Sequence, residues 1–178
     1  MAETKRAPPD QRQGKETLLD SFDAWYAREH SRLINILVLA TGDTHSASES
    51  VDEAFARALE HWDRVSLMVS PSGWVYKVAL HHARRAGRRA SIERRLHLGH
   101  RTRDEVPSPA GEVWHLLSQL SARQREVVVL RHIADLKEAE IGHVLGISRS
   151  TVSSTLADAY LRLEHFLKDE TKGEHGHA

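Results

Sequence analysis

A run of basic side chains in the middle of the sequence has the chemistry of a phosphate-binding surface. Seven lysine and arginine residues lie between positions 77 and 95, and Glu93 is the only acidic residue among them. Solvated surfaces usually mix charges of both signs, whereas a cluster of one sign is typical of contact with a polyanion. The whole chain has 25 basic and 25 acidic residues, so its net charge hides this local cation. The run consists of Lys77, Arg84, Arg85, Arg88, Arg89, Arg94 and Arg95, with His81, His82 and His97 within or next to it.

A second candidate surface follows a tight turn at Leu145–Ser148. Gly146 can take the positive φ that ends one helix, and Ser148 can cap the next one. A short helix, a glycine-containing turn and a capped second helix are the parts of a helix-turn-helix. An ordinary helical hairpin has similar parts, and we favour the DNA-reading interpretation. The outward residues of the last helix are Arg149, Ser150, Ser153, Ser154 and Ala157, of which the first four can bond to bases or phosphates.

Signatures of catalysis and of metal binding are missing from the sequence. It has no HExxH pattern, no glycine-rich phosphate loop, no nucleophile elbow and no cysteine. The 13 histidines are scattered, and His175 and His177 near the C-terminus are weak evidence for a metal site. We therefore expect a protein that is not an enzyme and that holds no cofactor.

Membrane-directing segments are also missing. Residues 1–16 are polar and lack the apolar core of a secretory signal. The longest apolar run, Ile34–Ala40, is much shorter than the roughly 18 residues of a membrane span. The lack of cysteine fits a reducing compartment. We expect a cytoplasmic protein.

Apolar residues recur at helical spacing through most of the chain, which predicts an all-α fold. In the first half we expect helices at about 18–39, 44–64 and 71–98, with Gly42 ending the first of them. Arg64–Gly73 is predicted as a loop. Its apolar residues either pack back on the helices or hold a ligand, because a free loop is usually polar.

The second half contains four helical patterns with short breaks. The first begins near Glu112, and Ser121 caps the next one through a capping box with Gln124. Lys137–Leu145 is a short helix, and the last helix begins at Arg149.

The stretch 99–111 separates the two sets of helices. It contains two prolines and two glycines, which argues against regular structure. We therefore predict two small helical domains, at residues 17–98 and 112–168, joined by a flexible linker at residues 99–111. Residues 1–16 and 169–178 are predicted to be flexible tails.

In this order the parts resemble an alternative sigma factor of bacterial RNA polymerase, of the two-domain extracytoplasmic-function type. The resemblance covers about residues 18–167 and is strongest in the pattern LxxRQREVxxLR…EIGxxLGISxxTV over Leu120–Val152. Val51–Phe55 (VDEAF) occupies the place of the family's acidic polymerase-binding helix. Ser72–Ala79 (SGWVYKVA) occupies the place of its aromatic helix beside the promoter −10 element.

The resemblance implies a role for each candidate surface. Glu49, Asp52 and Glu53 would contact a coiled coil of the largest polymerase subunit, although these residues taken alone are typical of a solvated face. Other partners would be the polymerase flap region, promoter DNA and an anti-sigma factor or activator. The loop Arg64–Gly73 would receive a base flipped from the −10 strand. Contacts to the −10 element and its phosphates would come from Trp74, Lys77, His81, Arg84, Arg85, Arg88 and Arg89, and contacts to the −35 major groove from Arg149, Ser150, Ser153 and Ser154.

Several residues depart from the family pattern. The recognition helix commonly carries lysine and arginine after the Thr-Val pair, and this chain has Ser153, Ser154, Thr155 and then Asp158. Hydroxyls discriminate bases less well than a bidentate arginine, so Arg149 is the one strong candidate base-reader. Two alternatives therefore stay open: a helix-turn-helix regulator that binds duplex DNA alone, and a sigma-like adaptor that binds polymerase or an activator without strong −35 reading.

Overall fold

A computed structural model describes residues 11–96 and 111–174, and within these residues it contains eight α-helices and no strand. The predicted all-α fold is confirmed. The helices are α1 Gln11–Thr41, α2 Thr44–Glu60, α3 Trp62–Val65, α4 Pro71–Leu96, α5 Glu112–Ser118, α6 Ala122–His132, α7 Glu138–Leu145 and α8 Arg149–Glu174. None of these helices is long and apolar enough to cross a membrane.

The helix ends are set by short-range signals that the sequence contains. Gly42 has a φ of +79° and ends α1, and the Asp43 carboxylate accepts a bond from the Ser46 N–H at 2.9 Å to cap α2. Ser121 and Gln124 form the predicted capping box at the start of α6. Gly146 has a φ of +67° and ends α7. Each of these ends satisfies backbone groups that a helix terminus leaves unpaired.

Some boundaries differ from the sequence-based prediction. Helix α1 begins at Gln11 inside the predicted N-terminal tail, and α8 continues to Glu174 inside the predicted C-terminal tail. Runs of glutamine, arginine, lysine and glutamate have good helix propensity, so polarity alone does not end a helix. The predicted loop Arg64–Gly73 is reduced to residues 66–70, because α3 ends at Val65 and α4 begins at Pro71. Most of the predicted linker, residues 99–110, lies outside the described residues.

Aromatic side chains form the centre of the first half. Phe22 and Trp25 of α1 pack with Phe55 of α2 and with Trp62, with ring centroids 4.7–6.5 Å apart. The predicted apolar face of α2 is buried apart from Leu59, which is 43% exposed. This face holds α2 against α1 and leaves the opposite face of α2 in solvent.

The two halves pack together into one continuous core. Helix α6 lies against α1, and α7 lies against α4. The Arg125 Nε donates to the Ala40 carbonyl at 3.0 Å, and its guanidinium lies 5.2 Å from the centre of the Trp114 ring. Trp114 in turn covers Gly42, where an added Cβ would approach its ring to 2.5 Å. The sequence predicts two domains, and the structure adds that they close on each other.

Candidate nucleic-acid and polymerase interface

Helices α7 and α8 form the corner of the expected helix-turn-helix. The Ser148 hydroxyl accepts a bond from the Thr151 N–H at 3.0 Å, which caps α8 as predicted. Ile147 N–H donates to the Gly142 carbonyl at 3.0 Å, and a Cβ at Gly142 would lie 2.7 Å from the Ile147 oxygen. The two backbones therefore touch at Gly142, which fixes the angle at which α8 leaves the corner.

The outward face of α8 is accessible. Arg149, Ser150, Ser153 and Ser154 are all exposed and line a shallow depression of about 650 Å³, together with Glu138 and Ala157. Some of the hydroxyls already have partners: Ser154 donates to the Thr151 carbonyl at 3.1 Å, and Ser150 lies 2.8 Å from the Ser148 hydroxyl. Arg149 contributes the longest donor group to this face, which makes it the strongest candidate base-reader.

The basic helix α4 presents most of its cations to solvent. Lys77, His81, Arg85, Arg88 and Arg89 are exposed along it. They lie on successive turns of one helix, so a backbone of regularly spaced phosphates can follow them.

Arg84 is held by the other half of the molecule. Its Nη2 lies 2.6 Å from both carboxylate oxygens of Glu126 in α6. The Glu126 side chain is only 8% exposed and the Arg84 side chain 36% exposed, and Arg123 approaches the same carboxylate at 3.4 Å. In this closed arrangement Arg84 is occupied by a carboxylate where we expect it to meet a phosphate.

Tyr76 lies beneath this ion pair. The residue is 2% exposed, and its buried hydroxyl has no hydrogen-bond partner. Burial, followed by the nearby negative charge of Glu126, raises the pKa of Tyr76 above its ordinary value. Tyr76 is therefore a core residue, whereas Trp74 is half-buried and lines a cavity.

That cavity is lined by residues of the loop, of α4 and of α7. It has a volume of about 1030 Å³ and is lined by apolar groups of both halves and by cations of α4. On its loop side, Leu67 is 86% exposed and Val69 is fully exposed. Of the two interpretations of this loop, packing back on the helices holds for the buried Val65 and fails for Leu67 and Val69.

The acidic residues of α2 share one face. Glu49, Asp52 and Glu53 are spaced i, i+3 and i+4, and all three are exposed. Each carboxylate has a cationic or imidazole neighbour: Glu49 lies 3.3 Å from His45, Asp52 lies 2.6 Å from His30, and Glu53 lies 3.1 Å from Arg57. The face is accessible to a basic partner surface.

Four residues with structural contacts near these surfaces were not identified from the sequence. Glu126, Arg125 and Trp114 contact the first half of the chain, and Glu138 contacts Arg149. Glu126 is the most instructive of them, because a carboxylate that leads the run Val127–Val129 on a buried stretch must find a cation. The run signals that a partner exists, but it contains nothing that identifies Arg84.

Comparisons with known proteins match both halves. The family description "Sigma-70 region 2" matches residues 25–92, and "Sigma-70, region 4" matches residues 110–163. A solved structure of the sigma factor RpoE with the anti-sigma factor NepR from Bartonella quintana is similar, with a TM-score of 0.72 and 18% identity over 84% of this chain and 98% of that one. The structure of CnrH with the cytosolic domain of CnrY has a TM-score of 0.60 and 20% identity over 89% and 94% of the two chains. No curated protein matches the chain significantly.

Proposed function

The chain belongs to the sigma-70 family of transcription initiation factors, since it matches both region 2 and region 4 of that family, and we propose on this basis which of its surfaces bind polymerase and which bind DNA. As a sigma factor it binds core RNA polymerase and directs it to promoters. The observation that carries the assignment is where each surface lies along the chain. The acidic face of α2 and the basic helix α4 lie within region 2, and the accessible face of α8 lies within region 4. We assign the cytoplasm as its place of action, because its template is the chromosome.

The acidic face of α2 is assigned to the polymerase. Glu49, Asp52 and Glu53 are exposed and aligned, so a basic surface of the largest subunit can meet all three together. Charges of this kind act mainly on encounter rate and orientation.

Helix α4 and the preceding loop are assigned to the −10 element. The exposed arginines of α4 supply phosphate contacts, which position the protein without reading sequence. The exposed Leu67 and Val69 and the half-buried Trp74 offer an apolar surface to an extruded base, whose unstacking costs a few kcal/mol.

Helix α8 is assigned to the major groove of the −35 element, with Arg149, Ser150, Ser153 and Ser154 as the contacts. Its first turn projects beyond the corner at Gly146, as a recognition helix must in order to enter the groove.

The closed arrangement opens when both promoter elements are bound. The −10 and −35 elements are about 25 base pairs apart, on the order of 85 Å of duplex at 3.4 Å per base pair. A compact chain of this length has a radius of gyration of about 16 Å, which is too small to reach both elements. The two halves therefore separate when both elements are bound. Opening also releases Arg84 from Glu126.

An anti-sigma factor is assigned as a regulatory partner. One similar solved structure holds a sigma factor with an anti-sigma factor, and another holds CnrH with the cytosolic domain of CnrY. In this chain the apolar loop and the cavity beside it supply a surface that a partner can cover. Co-purification with a partner that blocks polymerase binding would support this assignment.

The assignment is tested by reconstitution with core polymerase and in vitro transcription on genomic fragments. We expect initiation at a defined subset of promoters. A triple Glu49→Lys, Asp52→Lys and Glu53→Lys variant should lose polymerase binding, whereas Asp63→Lys, an exposed acidic residue of α3, should keep it. If wild-type protein binds duplex DNA tightly and alone but never binds core polymerase, it is a helix-turn-helix regulator. If it binds polymerase without changing promoter choice, it is an adaptor.

A further inference from the structure

Glu138, the first residue of α7, holds the candidate base-reading arginine of α8. Its Oε2 accepts a bond from Arg149 Nε at 3.1 Å. The Glu138 side chain is 30% exposed, and the Arg149 side chain is 77% exposed. The two residues share the depression that faces DNA in the proposed function. None of the roles assigned above uses Glu138.

The corner of the helix-turn-helix brings this pair together. Gly142 lies one turn after Glu138 on the same face of α7, because residues i and i+4 of a helix share a face. A Cβ at Gly142 would lie 3.6 Å from the Arg149 backbone nitrogen, so this face of α7 points directly at the start of α8. The backbone crossing at Gly142 therefore holds the start of α8 beside the face of α7 that carries Glu138.

The geometry of the bond leaves the useful part of the guanidinium available. The bond uses Nε, whereas a bidentate contact to guanine O6 and N7 can use the two terminal amino groups of Arg149. A planar guanidinium that is fixed at Nε loses less conformational freedom when it meets a base.

A stabilising role explains this arrangement poorly. Exposed ion pairs contribute little to folding stability. The helix dipole favours a carboxylate in the first turn of α7, but it does so without any contact to Arg149. On a DNA-facing surface a carboxylate repels phosphates, so Glu138 weakens binding unless it contributes to base reading.

We propose that Glu138 is a positioning residue for sequence reading, which orients Arg149 toward a guanine of the −35 element. This inference rests on the proposed function, in which α8 enters the major groove. Arg149 makes the base contact, and Glu138 acts through it. Ser150, Ser153 and Ser154 of the same face then need to contribute little to the discrimination between bases.

The test uses the full chain with core polymerase and a promoter library randomised over the −35 element. Wild type should prefer guanine at one position, and Arg149→Ala should lose that preference. Glu138→Ala should weaken the same preference by roughly tenfold, the scale of one bidentate contact. Glu138→Gln, which keeps an acceptor for Nε, should retain part of it. The double variant should be no worse than Arg149→Ala alone.

Asp158→Asn is the matched control, because Asp158 is an exposed carboxylate of α8, the helix that carries Arg149. It should strengthen binding to all sequences alike and leave base preference unchanged. The inference is overturned if Glu138→Ala, folded by circular dichroism, keeps the wild-type preference and changes only overall binding. It is also overturned if wild-type protein initiates transcription with no −35 preference. If wild-type protein initiates nowhere on the library, the proposed function itself fails.

Discussion

Replacing Arg84 with alanine should open the molecule. Arg84 and Glu126 join α4 to α6 across the two halves, with both contacts at 2.6 Å. Without Arg84, the closed state keeps a nearly buried carboxylate, and the cations that remain near it include Arg123, at 3.4 Å, and Arg125. The open state returns that carboxylate to water. The substitution therefore penalises the closed state more than the open one.

The magnitude follows from the exposure of the two side chains. Removing one partner of a fully buried ion pair costs about 3–5 kcal/mol. Arg84 is 36% exposed, and Arg123 and Arg125 remain near the carboxylate, so we reduce this figure to about 2 kcal/mol. A difference of that size changes the ratio of open to closed molecules about 30-fold.

Single-molecule energy transfer on the free protein measures this ratio. The chain has no cysteine, so dyes can be attached at Ala56→Cys in α2 and Leu161→Cys in α8, both of which are exposed positions. Arg84→Ala should enlarge the low-transfer population. Arg85→Ala, which removes the exposed neighbouring cation, should leave the distribution unchanged.

A second variant separates loss of the ion pair from loss of packing. Arg84→Met combined with Glu126→Leu removes both charges and keeps apolar volume, so it should restore the closed population. The reasoning is refuted if Arg84→Ala leaves the closed population at the wild-type level, or if the double variant is as open as the single one.

Three further predictions concern stability and titration. Tyr76→Phe removes a buried hydroxyl that has no partner, so the free energy of unfolding should rise by about 1 kcal/mol and thermal denaturation should shift upward by about 2–4 °C. Gly42→Ala places a side chain at a φ of +79° and against Trp114, so urea titration should show a loss of more than about 1 kcal/mol in the free energy of unfolding. Gly87→Ala lies at an exposed helical position with free space, so it should raise the free energy of unfolding by about 1 kcal/mol. Burial, followed by the positive charge of Arg57, lowers the pKa of His82 below 6.5, so NMR titration should find its midpoint below that value. The contribution of His82 to the free energy of unfolding is complete above pH 6.5 and is lost as the pH falls through the lowered pKa of the folded state, because the unfolded state binds the proton first.

The helices and their ends could be predicted from sequence because the forces involved are local. Gly42, Ser121 and Gly146 end or cap helices through contacts within a few residues, and the apolar spacing of α2 marks its buried face. The helix-turn-helix is a local motif of this kind. The sequence-based prediction assigned the polar ends of α1 and α8 to tails, whereas the helices begin at Gln11 and end at Glu174, because polar residues with good helix propensity can extend a helix.

Tertiary structure alone decided how the two halves meet. Arg84 and Glu126 are 42 residues apart, and neither position carries a signal that names the other. The same holds for Trp114 over Gly42, and for Glu138 beside Arg149, where two backbones approach closely at Gly142. Sequence determined which side chains can bind phosphate, base or polymerase, because that chemistry belongs to each residue. Packing determined which of these side chains are paired within the closed molecule and which remain exposed, because that depends on which helix faces meet.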